Sequence, residues 1–189
     1  MGERMPTGFG IWRAFFAMGF LNNLVPFSLI VWGQSHVASG LASILLATTP
    51  LLTVVVAQFM TADERLSGGR LAGIVVGIVG IVILIGSEAG EGFGFSLVAH
   101  IALLGAALFY SFGSVFGRRF QRLEVTPIAT ATGQITASSV MLLPVALVVD
   151  RPWVVDMPGG GTWLAIAGLA LLSTSLAYIL YFRILATAG

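Results

Sequence analysis

The chain has 189 residues, of which 57% are hydrophobic and only 9% are charged, whereas charged residues make up about 25% of a typical soluble domain. So few charged side chains cannot cover the surface of a water-soluble fold, and that class is excluded. The net charge of +1, from nine arginines and no lysine balanced against eight acidic residues, provides no basic field for nucleic acid, so nucleic-acid partners are excluded too. Without cysteine, disulfides, thiolate metal sites and a cysteine nucleophile are excluded.

Six apolar stretches are long enough to cross a bilayer, which requires about 20 residues in a helix. Charged and turn-forming residues are concentrated in the short segments between them. The fold class predicted is therefore an all-α integral membrane protein in contact with the lipid bilayer. In chain order the predicted spans are Ile11 to Trp32, Ser39 to Met60, Arg70 to Gly86, Ser96 to Gly117, Thr126 to Val149 and Thr162 to Leu185.

Arginines near the span ends predict the orientation, because basic residues accumulate on the cytoplasmic side. Seven arginines fall on one side, whereas only Arg151 lies in the connections of the other. The N-terminus and the C-terminus are therefore both expected in the cytoplasm. The seven are Arg4, Arg13, Arg65, Arg70, Arg118, Arg119 and Arg122.

The sequence also matches itself at an offset of 151 residues, which is the separation of Trp12 from Trp163. At this offset Asn22-Asn23 align with Ser173-Thr174, and Phe27 aligns with Tyr178. Span one runs outward and span six runs inward, so the two copies have opposite directions. Inverted repeats with polar breaks at matching depths are typical of secondary transporters.

Several motifs resemble the EamA repeats of the drug/metabolite transporter superfamily. They are the segment "VASGLASILLATTPLLTVVVAQFMTADERLSGGRLAGIVVGIVGIVILIG" and the shorter "LFYSFGSVFGRR" and "LAYILYFRILATAG". The resemblance implies a six-helix portion of a ten-helix bundle made of two inverted five-span repeats. Residues 1–87 would be the last three spans of the first repeat and residues 88–189 the first three spans of the second.

The same resemblance implies export of a small-molecule substrate across a bacterial inner (plasma) membrane by alternating access. It also implies partners for these six spans, either the missing helices of a longer chain or a second copy in a homo-oligomer. It implies no cofactor. The alternative is a non-transporting membrane fragment, or a subunit that another chain completes.

Candidate pathway residues are the polar groups near the centres of the spans, since such groups usually face protein or water. Proline at 26 or 50 also frees an upstream carbonyl, because it has no N–H to donate. Each hydroxyl or amide could instead join neighbouring helices by a hydrogen bond. The candidates of this kind are Asn22, Asn23, Thr48, Thr49, Pro50, Ser173 and Thr174.

Aromatic and charged side chains form a second set of candidates. Phe27, Tyr110 and Tyr178 offer apolar ring faces to a substrate, or simply pack in the core. Glu64 and Arg183 could act in gating or in substrate contact, although a structural charge at a helix end is the alternative for both. His36 and His100, without cysteine or nearby carboxylates, predict no metal site.

These residues favour a carrier of small neutral or zwitterionic metabolites, such as amino acids and related compounds. An enzyme is not expected, because no base, nucleophile or metal ligand lies near a span centre. In span three, Gly69, Gly73 and Gly77 recur every four residues, which predicts close helix packing along that face.

Overall fold

A computed structural model describes residues 5–61, 68–87, 93–154 and 157–188 of the chain. All six predicted spans are helical, and five helices are long and apolar enough to cross a membrane; in span three the apolar helical stretch is shorter, Ala72–Ile83. The all-α membrane fold predicted from the sequence is thereby confirmed. The helical segments are Phe9–Gly19, Phe20–Leu24 and Val25–Gln34 in span one; Ser39–Leu46 and Thr49–Met60 in span two; Gly68–Ser87 in span three; Phe93–Gly117 in span four, followed by a short helix Arg119–Arg122; Pro127–Val149 in span five; and Gly160–Gly168, Leu169–Leu176 and Ala177–Ala188 in span six.

Residue contacts divide the chain into two compact units, each of which is described by itself. The continuous unit is Leu21–Phe116. The split unit consists of the described residues up to Phe20 together with those from Gly117 onward.

The split unit is held together by aromatic rings on spans one and six and on the connection between spans four and five. Phe15, which is fully buried, stacks on Phe120 at a centroid distance of 5.4 Å. Phe120 meets Phe182 edge to face at 6.3 Å. Gly133 of span five leaves space for the Phe15 ring, because a Cβ atom at that position would overlap the ring.

The core of the continuous unit lies between spans two and four. Leu41, Ala42 and Leu45 of span two pack with Leu103 of span four. Gly33 of span one approaches Leu103 so closely that a Cβ atom would lie 2.8 Å from its Cγ. Small residues thus allow these helices to pack at short range, as is usual within membranes.

The glycine stripe of span three was predicted to pack closely, and this prediction is wrong for most of the stripe. A Cβ atom at Gly69 or Gly73 would meet nothing within 4 Å among the residues that the structure describes. At Gly77 it would overlap the Leu51 side chain. Regular spacing placed these glycines on one face, but the neighbouring helix reaches that face at Gly77.

Replacing Gly133 by Ala should destabilise the protein by about 1–3 kcal/mol, since the added methyl group overpacks a buried aromatic ring that has no room to move. The matched control is Gly73→Ala in span three, which should be neutral or stabilising by up to about 1 kcal/mol because alanine favours the helix. Unfolding of the detergent-solubilised protein measures both. Equal stability of the two variants would contradict the close packing of Phe15 on span five.

Candidate functional site

Asn22 and Asn23 lie in a short π-helical segment, Phe20–Leu24, at the middle of span one. Both side chains are buried, with exposed fractions of 6% and 3%. Pro26 follows one turn later and is buried as well. A π-helical turn inside an α-helix is uncommon and is frequently found at functional sites.

The two asparagines were predicted to be pathway residues because they lie at the centre of span one. Their burial is a second reason to regard them as candidates. An amide in an apolar interior is costly unless it is hydrogen-bonded. The side chain of Asn22 borders Gly113 of span four, where a Cβ atom would lie 3.2 Å from the Asn22 Oδ1 atom. Asn22 therefore faces span four within the continuous unit.

Span two is interrupted in its middle by a turn at Ala47 and Thr48, and its second helix begins at Thr49 with Pro50 in the first turn. The Thr48 hydroxyl donates to the Leu45 carbonyl at 2.6 Å. The Thr49 hydroxyl donates to the Leu46 carbonyl, also at 2.6 Å. The upstream carbonyl that Pro50 was predicted to free is that of Leu46. It accepts its hydrogen bond from the Thr49 hydroxyl of the same span.

The Thr49 carbonyl accepts hydrogen bonds from two hydroxyl groups. Ser111 of span four donates from Oγ at 3.1 Å, and Thr53 donates from Oγ1 at 2.8 Å. Ser111 is completely buried, and its hydroxyl also lies 2.8 Å from the Ala107 carbonyl of its own helix. Because a serine hydroxyl has a single proton, the two carbonyls share it. The contact with Thr49 connects the break in span two to the middle of span four.

Ser111 and Gly113 were missed by the sequence reasoning. Both lie within four residues of the centre of Leu97–Arg122, the stretch of span four and its short following helix that is long and apolar enough to cross a membrane. The available signal was Ser111 itself, a hydroxyl near the centre of that apolar stretch. Its direction depends on the rotation of span four about its axis, which the sequence does not specify.

The other candidates in the continuous unit are less enclosed. Phe27 and Pro50 are exposed, and Tyr110 is half-buried. Glu64 lies outside the described residues. The structure therefore brings the Asn22 side chain close to Gly113, and the Thr49 carbonyl into hydrogen-bond distance of the Ser111 hydroxyl.

The candidates on span six belong to the split unit. Ser173 is exposed, Thr174 and Tyr178 are half-buried, and Arg183 is exposed near the end of the span. Tyr178 stacks on Phe182 at a centroid distance of 6.4 Å. A cleft of about 270 Å³ in the same unit, lined by Pro6, Ile11, Leu123, Glu124, Val125, Thr126 and Ala129, contains none of the predicted pathway residues.

The two copies of the internal repeat share a local conformation. Span six contains a π-helical segment, Leu169–Leu176, in which the Ser175 hydroxyl donates to the carbonyl five residues earlier at 2.9 Å. The offset of 151 residues aligns Phe20–Leu24 with residues 171–175, which lie inside that segment. Spans one and six thus depart from the α-helix at corresponding positions.

The polar contacts of the continuous unit are made by groups without net charge. They are amides, hydroxyls and backbone carbonyls, which can donate to or accept from a ligand. Among the described residues, no group of three or more His, Cys, Asp and Glu side chains could hold a metal ion. These amides, hydroxyls and carbonyls can form hydrogen bonds to a polar molecule.

Replacing Ser111 by Ala should lower the free energy of unfolding by about 0.5–1.5 kcal/mol, the usual net contribution of one hydrogen bond. The control is Ser43→Ala, because the Ser43 hydroxyl is exposed and bonds only to its own helix, at the Ser39 carbonyl. Unfolding in detergent or lipid discs compares the two. The same small effect in both variants would contradict a stabilising contact between spans two and four.

Comparison with known proteins identifies the family. The sequence model of the EamA-like transporter family matches residues 2–86 and 97–189. The aromatic amino acid exporter YddG of Ancylobacter novellus is 32% identical over 135 residues, which are 68% of this chain and 43% of that protein. The transporter YoaV of Bacillus subtilis is 23% identical over 174 residues, covering 92% of this chain and 58% of that protein.

A probable amino-acid metabolite efflux pump of Escherichia coli is 29% identical over 120 residues, 64% of this chain and 37% of that protein. The chain thus spans about half the length of the relatives that it matches. No solved structure matches it significantly. With both stretches of the family model matched, the chain is an integral membrane protein that belongs to the EamA-like transporter family.

Proposed function

We propose that this chain forms part of the substrate pathway of a carrier for small neutral or zwitterionic metabolites, such as amino acids and related compounds. The proposal is carried by the uncharged polar groups in the middle of three spans, namely the buried amide of Asn22 and the contact between the Ser111 hydroxyl and the Thr49 carbonyl. A substrate with several charges would lose its hydration there without an opposite charge to compensate. A neutral or zwitterionic solute needs hydrogen bonds, which amides and hydroxyls supply.

The relatives support the same class of substrate. One is named an aromatic amino acid exporter and another a probable amino-acid metabolite efflux pump. We therefore propose export as the direction of transport. Because the chain spans about half the length of these relatives, activity is proposed for the intact carrier that contains these six spans.

We propose alternating access as the mechanism, with residues 1–87 and 88–189 belonging to two inverted repeats. The corresponding π-helical segments of spans one and six support this assignment. Inverted repeats allow two states of similar energy, in which a site opens first to one side and then to the other. Arginine at the span ends supports cytoplasmic termini.

A panel of competing solutes tests the proposed substrate class. Uptake into proteoliposomes containing the intact protein should be inhibited by neutral amino acids, and hardly at all by phosphorylated metabolites or dicarboxylates. The physical reason is that the desolvation of a multiply charged solute has no compensating charge in the polar middle of these spans. Selective transport of a dicarboxylate or a sugar phosphate would refute the proposal.

Leucine at position 22 or 23 should abolish transport while leaving membrane insertion intact, since it removes an amide and makes the span more lipophilic. Leucine at Ser173 or Thr174 should weaken transport less, because a hydroxyl offers fewer hydrogen bonds than an amide. The matched control is Ser28→Leu in span one, where the hydroxyl is exposed and bonds to the Leu24 carbonyl of its own helix. Normal transport by the Asn22→Leu, Asn23→Leu double variant would overturn the proposed pathway.

Energy coupling is expected to need no carboxylate or histidine of this chain. Acidic residues within spans form the proton relays of many transporters, whereas the polar middle of spans one, two and four is neutral. Uptake is measured with and without a proton gradient, in the intact protein and in the Glu64→Gln and His100→Gln variants. Both variants should retain the response of the intact protein. Loss of gradient dependence in either variant would contradict this prediction.

A further inference from the structure

Gly113 of span four faces the polar side chain of Asn22. A Cβ atom built on it would lie 3.2 Å from Oδ1 of Asn22 and 3.5 Å from both Cβ and Cγ of that residue. Most real Cβ contacts are longer than 3.4 Å. An alanine at this position would therefore press a methyl group against the Asn22 carboxamide.

A second glycine in the same helix offers a comparison. Gly105 also faces span one, but a Cβ atom there would meet only Leu29, at an ordinary contact distance of 3.6 Å from its Cδ1 atom. Gly105 and Gly113 are eight residues apart, about 80° around the helix, and both face span one. The close approach at Gly113 is therefore a local feature of the Asn22 position, and not of the whole interface.

Span four also contacts span two, on the side away from span one. Ser111 lies two residues before Gly113, about 200° around the helix, and its hydroxyl lies 3.1 Å from the Thr49 carbonyl of span two. The atoms nearest to a Cβ atom at position 113 all belong to the Asn22 side chain. We therefore expect a methyl group there to displace the Asn22 carboxamide.

We propose that Gly113 is a positioning residue that sets the direction of the Asn22 carboxamide and through it the affinity for substrate. This inference rests on the proposed function, in which Asn22 contributes to the pathway. A shift of a few tenths of an ångström in Oδ1 changes the angle and length of any hydrogen bond that the amide makes to a solute. The absence of a side chain at position 113 is then a requirement of the site and not only of helix packing.

Transport kinetics of Gly113→Ala test the proposal, with Gly105→Ala as the matched control. The KM for a transported neutral amino acid should rise by up to about tenfold in Gly113→Ala, as expected when one hydrogen bond is distorted. The maximal rate should change much less, and Gly105→Ala should behave like the unmodified protein. An unchanged KM in Gly113→Ala would overturn the proposal.

A double-variant cycle separates positioning from a general packing defect. Asn22→Ser keeps a hydroxyl that can bond to the solute and should therefore still transport, with a raised KM. In this background the Oδ1 atom is gone, so Gly113→Ala should cause no further change in KM. An equal rise in both backgrounds would contradict an effect through Asn22. If Gly113→Ala alone does not fold, Asn22→Ser should restore folding, and failure to restore it would also contradict the proposal.

The proposed function and the positioning role fail in different ways. Normal transport by Asn22→Leu would remove Asn22 from the pathway and with it the proposed function. Loss of transport in Asn22→Leu, together with unaltered kinetics in Gly113→Ala, would leave the function standing and refute the positioning role.

Discussion

A helix within a bilayer must satisfy its backbone polar groups internally, because the lipid chains offer no partner, and the middle of the continuous unit is built under this constraint. The interruption of span two at Ala47 and Thr48 therefore needs hydroxyl groups close by, and Thr48, Thr49 and Ser111 supply them. Span four packs against span two through Ser111 and Leu103, and it faces Asn22 of span one with Gly113.

The departures from regular α-helix are concentrated where a carrier needs them. Span one changes to a π-helical turn at Asn22 and Asn23, in its middle. Span two is interrupted in its middle as well, at Ala47 and Thr48. Span six also contains a π-helical segment, and the offset of 151 residues aligns it with that of span one. Irregular backbone at membrane depth is tolerated where protein or a water-filled cavity surrounds it. The burial of both asparagines is consistent with that environment.

Membership of the EamA-like transporter family and the neutral polar contacts bear on different questions. The family is one of membrane transporters. The side chains at the middle of spans one, two and four support the proposal on what the intact carrier transports, because they offer hydrogen bonds without charge. Selectivity within this class would then depend on small displacements of one amide.

Much of the fold could be predicted from the sequence, because the bilayer requires long apolar stretches and these are visible as such. The six spans were predicted within a few residues of their ends; span six, for example, begins at Gly160 instead of Thr162. Proline at position 50 indicated a local disturbance in span two, but not that the helix is interrupted before it. Asn22 and Asn23 were chosen as candidates by their depth alone, and their role in a pathway stays a prediction.

The rest could not be predicted because it depends on how each helix is rotated about its axis. The sequence shows that Ser111 is near the middle of span four, but not that it points at Thr49. The glycine stripe of span three failed as a packing signal for the same reason, since the neighbour reaches only Gly77. Gly113 carries no side chain and is one of 24 glycines in the chain, so its role depends on a distance that the sequence does not contain.

Protection of a single thiol by substrate tests the central claim most directly. The chain has no cysteine, so a single introduced cysteine is unique within it. Pro26→Cys places the thiol one turn after Asn22, at a buried position of span one, and keeps the Asn22 amide; Ser28→Cys is the control. In the intact protein, a small water-soluble thiol reagent should modify position 26, and a neutral amino acid should slow that modification. The rate at position 28 should not respond to the amino acid. Modification of position 26 at the same rate with and without every neutral amino acid tested would contradict a substrate pathway at Asn22.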